Sequence, residues 1–291
     1  MVEIWSAERV LASAAVLGEG PVWDAGEQCL YWVDIERGEV RRFDPVTRRD
    51  TVVITLDRQV GAVGLRDAGG LILAVREGFA TWEPGQPDIT VVASPLGSNS
   101  LCRMNDGACD PAGRFWAGSM ALQDGVLGEG SLYRLEPDGS AVEVLAGVSL
   151  SNGIGWSPDG RTMYHIDTLA LSLSAYSFDA LTGTLGRPRV LIEFERSDGY
   201  PDGIAVDAAG CIWVAFWLGS RVSRYTPDGE LLGVVEVPTP LVTSCAFGGS
   251  ALDDLYITTA SRDLDPAPAG AGDLYVARTG VAGTESHRFR G

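Results

Sequence analysis

The chain repeats one short motif six times, and this repeat limits the folds that the sequence can adopt. Each copy is a turn rich in Asp, Gly or Pro, followed by a run of aromatic or β-branched residues. The runs align on Tyr31, Leu73, Trp116, Tyr164, Trp213 and Tyr256, at successive intervals of 42, 43, 48, 49 and 43 residues. Strands that recur about every 40–50 residues are typical of β-propeller blades. The repeat therefore predicts an all-β fold, a six-bladed β-propeller in which residues 1–291 form a single domain.

The segments around the repeat predict how the blades are built. A second strand-like run follows most copies, as in "EVRRFDP" and "RVSRYTPDG", while 37 Gly and 15 Pro interrupt any long helix. A blade needs about four strands, and we expect the first of them to line a central channel. The ring must close so that no sheet edge stays open. We expect closure by the opening segment "EIWSAERVL", paired within the blade that holds "DLYVAR" and "SHRFR".

The composition excludes several classes of partner and mechanism. A net charge of −17 argues against nucleic acids and anionic membranes as partners. All 22 basic residues are Arg, which excludes mechanisms that need a lysine. No apolar run approaches the roughly 18 residues of a membrane-spanning helix, and "VLASAAVL" lacks the basic flank of a signal peptide. The five cysteines are odd in number and form no C-x-x-C motif, so we expect a reduced, cytoplasmic protein.

One position of the repeat is rich in oxygen ligands. Five residues before the start of each shared turn lie Glu19, Ala62, Asn105, Asn152, Asp202 and Ser244. Equal phase in a propeller means equal height in the channel, so these positions should ring its mouth. Carboxylate and amide oxygens without His or Cys suit Ca²⁺, Mg²⁺ or Mn²⁺, and an open site of this kind also accepts Zn²⁺ or Fe²⁺. The alternative is that these side chains only cap turns, as Asn and Asp do in most loops.

Other catalytic motifs are missing from the sequence. The two histidines, His165 and His287, belong to no H-E-x-x-H motif, and there is no G-x-S-x-G or G-x-G-x-x-G segment entering a helix. His165 alternates along a predicted strand, so it either points towards the channel or is a hydrogen-bonded histidine within the strand. The ring of oxygen ligands therefore remains the principal candidate site.

Several segments together resemble the senescence-marker-protein/gluconolactonase/luciferin-regenerating (regucalcin-like) family, which includes bacterial sugar lactonases. They are "LGEGPVWD", "RMNDGACDPAGRFWAGSM", "SNGIGWSPDG", "YPDGIAVDAAGCIWVA", "TSCAFGG" and "TTASRDLDP", and they span nearly the full length. The resemblance implies a six-bladed propeller with one divalent metal in its central channel.

The resemblance also implies roles for individual residues. The metal ligands fall on Glu19, Asn152 and Asp202. Asn105 lies beside the metal or the substrate, and Arg103 contacts the substrate hydroxyls. The family often has a sugar-facing glutamate shortly after the "GTM"-like turn, and Gln123 stands at that position here. An amide keeps the hydrogen bonding but loses the charge, so the substrate preference is expected to differ.

These roles fit a metal-dependent hydrolase that opens a sugar (aldono-) lactone to its aldonic acid. A divalent metal polarises the lactone carbonyl, and Asp202 acts as general base on the attacking water. We expect a small-molecule sugar lactone as the partner and a monomer or weak homodimer. The alternative is a non-catalytic calcium-binding propeller, a regulator or scaffold. A third interpretation, an ester hydrolase like the paraoxonases, is weaker because that family has a catalytic histidine pair.

Overall fold

The computed structural model of the protein describes residues 1–97 and 101–291, which form strands joined by turns. The chain opens with β1 (Glu3–Ser6) and β2 (Glu8–Leu11). Blade 1 contains β3 (Gly18–Asp24), β4 (Cys29–Asp34), β5 (Glu39–Asp44) and β6 (Arg49–Thr55). Blade 2 contains β7 (Val60–Arg66), β8 (Leu71–Val75), β9 (Gly78–Trp82) and β10 (Thr90–Ala93). Blade 3 contains β11 (Cys102–Cys109), β12 (Phe115–Ala121), β13 (Gly130–Leu135) and β14 (Ala141–Val148).

The second half of the chain continues the same arrangement. Blade 4 contains β15 (Ser151–Trp156), β16 (Thr162–Asp167), β17 (Ser172–Asp179) and β18 (Thr184–Glu193). A 3₁₀ turn at Arg196–Asp198 precedes blade 5, which contains β19 (Tyr200–Val206), β20 (Ile212–Trp217), β21 (Arg221–Tyr225) and β22 (Leu231–Glu236). Blade 6 contains β23 (Val242–Gly248), β24 (Asp254–Thr259) and β25 (Leu274–Arg278), and β26 (Arg288–Phe289) ends the chain.

The six sheets form a closed ring around their first strands. Within each blade, consecutive strands pair antiparallel in chain order. The first strands β3, β7, β11, β15, β19 and β23 each contact the next one around the ring, and β23 returns to β3. The structure is therefore a six-bladed β-propeller, as the repeat predicts. The only helix among the described residues is the three-residue 3₁₀ turn, so none there is long or apolar enough to cross a membrane.

The predicted ring closure is only partly correct. As expected, β2 pairs antiparallel with β25 and completes blade 6. β1 instead pairs parallel with β22 of blade 5, and β26 pairs parallel with β7 of blade 2. Two aromatic contacts explain the difference. Trp5 packs against Trp213 of blade 5 at a ring-centroid distance of 5.6 Å, and Phe289 is buried in an apolar cluster with Phe115 and Phe79.

The shared turn has a physical function that explains its recurrence. Asp110 accepts hydrogen bonds from two backbone N–H groups of the turn and from Trp116 Nε1, the last at 3.0 Å. Asp207 makes the equivalent bonds in blade 5, including one from Trp213 Nε1 at 3.0 Å. The carboxylate thus ties the turn to the large aromatic side chain of the second strand. Both Trp side chains are fully buried and pack between neighbouring blades.

Candidate active site

The oxygen-rich position of the repeat falls at the same place in every blade. Glu19, Ala62, Asn105, Asn152, Asp202 and Ser244 lie on the six first strands, and each is at or beside an irregularity in the pairing with the second strand. A β-bulge redirects side chains and often marks an active site.

The glycines beside these positions let neighbouring strands approach closely. A Cβ on Gly61 would lie 2.3 Å from the carbonyl oxygen of Asn105, and one on Gly153 would lie 2.7 Å from that of Asp202.

All the predicted site residues line one pocket at the mouth of the channel. Its volume is about 340 Å³, within the range of ordinary small-molecule sites. The predicted residues on its wall are Glu19, Arg103, Asn105, Gln123, Asn152 and Asp202. The equal-phase argument expects Glu19, Asn105, Asn152 and Asp202 to lie together, and they do, although they are up to 183 residues apart along the chain. The other two residues were expected there from the resemblance alone. Ala62 and Ser244 complete the ring without a carboxylate or an amide.

Two buried oxygens in this pocket have no partner among the described residues. They are Oδ1 of Asn152 and Oδ1 of Asp202. Asn152 Nδ2 donates to Thr168 Oγ1 at 3.2 Å, and that hydroxyl donates to the carbonyl oxygen of Pro201 at 2.7 Å. The amide group of Asn152 is therefore held in one orientation. Buried oxygens are normally paired, so two unpaired ones near a carboxylate fit a site for a hard cation.

The site brings buried carboxyl groups close together. Burial, together with the charges of Glu19 and Asp106, raises the pKa of Asp202 well above its usual range. Burial and the charge of Asp106 raise the pKa of Glu19 to about 8. The two carboxyls are within hydrogen-bonding reach of each other, so a proton rather than a second negative charge is favoured there. A divalent cation would displace that proton and compensate both charges.

The ligand set for such a cation must include an amide. The described residues contain no group of three or more His, Cys, Asp or Glu side chains placed to hold a metal. Glu19 and Asp202 supply two carboxylates, and the unpaired oxygen of Asn152 supplies a third ligand of the type that Ca²⁺ and Mg²⁺ accept. These three residues together fit the predicted divalent metal.

Asn105 differs from Asn152 in its hydrogen bonding. Its Oδ1 accepts from Arg103 Nη1 at 2.7 Å, and its Nδ2 donates to the carbonyl oxygen of Ser151 at 2.9 Å. Both amide atoms are therefore already engaged, so Asn105 fits a position beside the cation better than one among its ligands. Arg103 is itself buried, which lowers its pKa to about 10, and it stays protonated at neutral pH.

The last predicted site residue is Gln123, and His165 is the histidine that the sequence left open. Gln123 follows β12 in an exposed loop and borders the pocket, with no hydrogen bond to any described residue. His165 is buried in β16, and its Nε2 lies 2.8 Å from Ser151 Oγ, which fits a hydrogen-bonded strand histidine. Burial lowers the pKa of His165 to about 4, so the ring is neutral at physiological pH.

Sequence reasoning missed several residues of this region. Thr168, Tyr200, Trp217 and Arg262 line the pocket. Asp106 is buried and lines a separate cavity of about 160 Å³ further along the channel. For Tyr200 a signal exists, because it precedes Asp202 by two residues just as Arg103 precedes Asn105. For Thr168, which holds Asn152 from the turn after β16, the sequence contains no comparable signal.

The similarity to known proteins agrees with this geometry. Residues 17–261 match the family profile described as the SMP-30/Gluconolactonase/LRE-like region. The chain belongs to this family. It is 40% identical over 291 residues to the 6-deoxy-6-sulfogluconolactonase of Pseudomonas putida, covering 97% of this chain and 98% of that protein. It is 35% identical over 294 residues to the regucalcin of Xenopus laevis, covering 98% of each chain.

A solved structure of the family shares the fold over the whole length. The calcium-binding protein regucalcin of Agrobacterium tumefaciens superposes with a TM-score of 0.93 and 28% identity, covering 100% of this chain and 99% of that one. At the level of the family, the relatives' names include both sugar-lactone hydrolases and regucalcins. The chain is thus a member of a propeller family that includes sugar-lactone hydrolases.

Proposed function

We propose that the protein is a metal-dependent hydrolase that opens a sugar (aldono-) lactone to its aldonic acid. The observation that supports this most directly is the convergence of two buried carboxyls, two buried amides and a buried guanidinium in one pocket. A sugar lactone needs groups that bind a cation, because its carbonyl must be polarised. It also needs hydrogen-bonding groups, because its hydroxyls must be held. The lactonase name of the Pseudomonas putida relative agrees with this reaction class.

Glu19, Asn152 and Asp202 would hold the divalent metal, which is Ca²⁺, Zn²⁺, Mn²⁺, Mg²⁺ or Fe²⁺. The unpaired Oδ1 atoms of Asn152 and Asp202 support this assignment, as does the pair of buried carboxyls, whose mutual repulsion a cation would relieve. When bound, the metal supplies Lewis acidity at the lactone carbonyl and offsets negative charge on the tetrahedral oxyanion.

Asp202 would act as the general base. Its carboxylate accepts a proton from the water as the water oxygen bonds to the carbonyl carbon. The same proton then passes to the ring oxygen as the carbon–oxygen bond of the ring breaks, which yields the open acid. A carboxylate that also binds a cation is a weak base, so the attacking water would have to be acidified by the Lewis acidity of the metal as well.

Arg103, Asn105 and Gln123 would orient the sugar. Arg103 Nη1 is occupied by the carbonyl oxygen of Met104 and by Asn105 Oδ1, which fixes the plane of the guanidinium. The other guanidinium N–H groups can donate to ring hydroxyls. Holding the ring in one pose lowers the entropic part of the barrier, so these residues act on binding and orientation rather than on proton transfer.

A second candidate function is a calcium-binding propeller without catalysis. The regucalcin relatives, and the calcium-binding description of the Agrobacterium tumefaciens protein, favour it. Both functions require the cation, and only the hydrolase requires a buried arginine in the channel mouth. The position of Arg103 therefore supports the hydrolase.

A panel of purified sugar lactones tests the proposal. Acid release is followed with a pH indicator before chelation, after chelation and after adding back each divalent metal, and the spontaneous opening of each lactone is subtracted. The hydrolase should lose its turnover on chelation and regain it with at least one metal. Tight calcium binding without turnover of any lactone would instead support the second candidate.

A further inference from the structure

A second tier of residues lies two positions before the oxygen-rich ring. Its members are Leu17, Val60, Arg103, Leu150, Tyr200 and Val242. Residues two apart on a strand face the same side, so members of this tier can reach the pocket one step from the ring, although Val60 and Val242 are instead buried in apolar clusters. Four members, Leu17, Arg103, Leu150 and Tyr200, line the pocket. Only two members of the tier carry a hydrogen-bonding side chain, and the proposed function uses just one of them, Arg103.

Tyr200 is paired with a second aromatic residue. In the antiparallel register of β19 and β20, Tyr200 is directly opposite Trp217. Directly opposed residues project from the same face, with Cβ atoms about 4.5–5.5 Å apart. Both side chains are partly buried and both line the pocket. Neither the Tyr200 hydroxyl nor Trp217 Nε1 makes a hydrogen bond to any of residues 1–97 or 101–291.

The backbone around this pair is closely packed. A Cβ on Gly199 would lie 2.6 Å from the carbonyl oxygen of Trp217 and 2.8 Å from the nitrogen of Gly219. Gly199 also has a φ of 93°, which favours glycine. A salt bridge of 2.9 Å from Arg221 to Asp198 also joins the segment before Tyr200 to the segment after Trp217. The pair is therefore a preformed wall rather than two loose surface side chains.

The Trp217 end of the wall is displaced from the place where a lactone would react. The carbonyl must lie at the floor, at Glu19, Asn152 and Asp202, whereas Trp217 is at the end of the second strand of blade 5 and therefore further from the channel axis. Trp217 also packs against the apolar cluster that contains Leu241. A flat aromatic surface with free N–H and O–H groups suits a ring that has a C–H face and hydroxyls at its edge.

We propose that Tyr200 and Trp217 form a second sugar-binding subsite, so that the substrate is an aldonolactone that carries a further sugar ring. This inference rests on the proposed function, because it takes the lactone ring to be at the metal ligands. The aromatic surface of Trp217 packs on the C–H face of the second ring. The Tyr200 hydroxyl and Trp217 Nε1 hydrogen-bond its hydroxyls.

The test compares cellobiono-δ-lactone with glucono-δ-lactone, two lactones that differ only in the added glucose ring. The wild-type protein should have the higher kcat/KM for the disaccharide lactone. Trp217→Ala should lower the ratio of the two kcat/KM values about tenfold, equivalent to about 1.4 kcal/mol. Trp217→Phe should keep part of the preference because it keeps a ring, and Tyr200→Phe isolates the hydroxyl. Leu181→Ala, at an exposed turn of blade 4, is the control and should leave the ratio unchanged.

Two results would overturn the subsite. One is a wild-type protein that opens the monosaccharide lactone at least as efficiently. The other is a folded Trp217→Ala protein with the wild-type ratio. If no lactone is opened, the proposed function fails, and calorimetry with the two corresponding aldonic acids decides the subsite separately. Tighter binding of the disaccharide acid that Trp217→Ala abolishes would support it, and equal binding of both acids would refute it.

Discussion

Replacing Asp202 with Asn separates a catalytic carboxylate from a metal ligand. The amide keeps an oxygen at the place of Asp202 Oδ1, which is buried and unpaired among the described residues. It cannot accept a proton from the attacking water. General acid–base catalysis contributes roughly 10²–10⁴-fold to a rate, so we expect kcat to fall by that factor. Metal binding should persist, because amide oxygens are acceptable ligands for hard cations.

The same substitution should stabilise the metal-free fold at alkaline pH. Burial and the charge of Glu19 raise the pKa of Asp202, so its ionised form opposes folding when no cation is present. The amide cannot ionise and removes this effect. We therefore expect the amide variant to be the more stable of the two metal-free proteins at pH 8. Thermal unfolding of both proteins in chelator measures the gain.

The assay for catalysis must use protein of known metal content. Acid release from the best lactone is measured with metal-loaded D202N, and spontaneous opening is subtracted. Arg103→Ala is the contrasting variant, because it should raise KM and leave the metal affinity unchanged. The reasoning fails if D202N, shown by elemental analysis to carry its metal, hydrolyses the lactone as fast as the wild-type protein.

Three further outcomes follow from the site. Glu19→Gln should weaken metal affinity by more than the roughly 10–100-fold typical of outer-sphere changes, and unchanged calorimetric affinity for every divalent ion would exclude Glu19 as a ligand. Gln123→Glu should shift lactone preferences a few-fold to about tenfold, since a hydrogen bond contributes about 0.5–1.5 kcal/mol; an identical ranking would place Gln123 outside the binding site. Because burial and Asp106 raise the pKa of Glu19 from 4.5 to about 8, its protonated form stabilises the metal-free fold below pH 4.5, and this stability is lost as the pH rises to 8. Burial lowers the pKa of His165 from 6.5 to about 4, so His165 changes the free energy of unfolding with pH only below pH 6.5. The Tm in chelator should therefore fall from pH 6.5 to 8, and a flat profile would contradict this.

The blade count could be predicted from the sequence because each blade is specified locally. A turn carboxylate such as Asp110 binds backbone N–H groups within four residues and the Trp six residues later, so the signal repeats within a short window. The same regularity brought Glu19 and Asp202 together, since equal phase in a ring means equal height. Closure was predicted incorrectly for β1 and β26, because the packing of Trp5 and Phe289 depends on distant blades.

The sequence by itself determined which residue types stand at the channel mouth, and the tertiary structure decided how each is used. Asn105 and Asn152 occupy the same phase of the repeat. In the fold, Arg103 and Ser151 occupy both amide atoms of Asn105, while Thr168 holds only the nitrogen of Asn152 and leaves its oxygen unpaired. Arg103 lies on the same strand as Asn105, but Ser151 and Thr168 belong to blade 4, and the environment of each amide depends on what packs around it. The repeat therefore cannot distinguish the two asparagines, whereas the packing of neighbouring blades does.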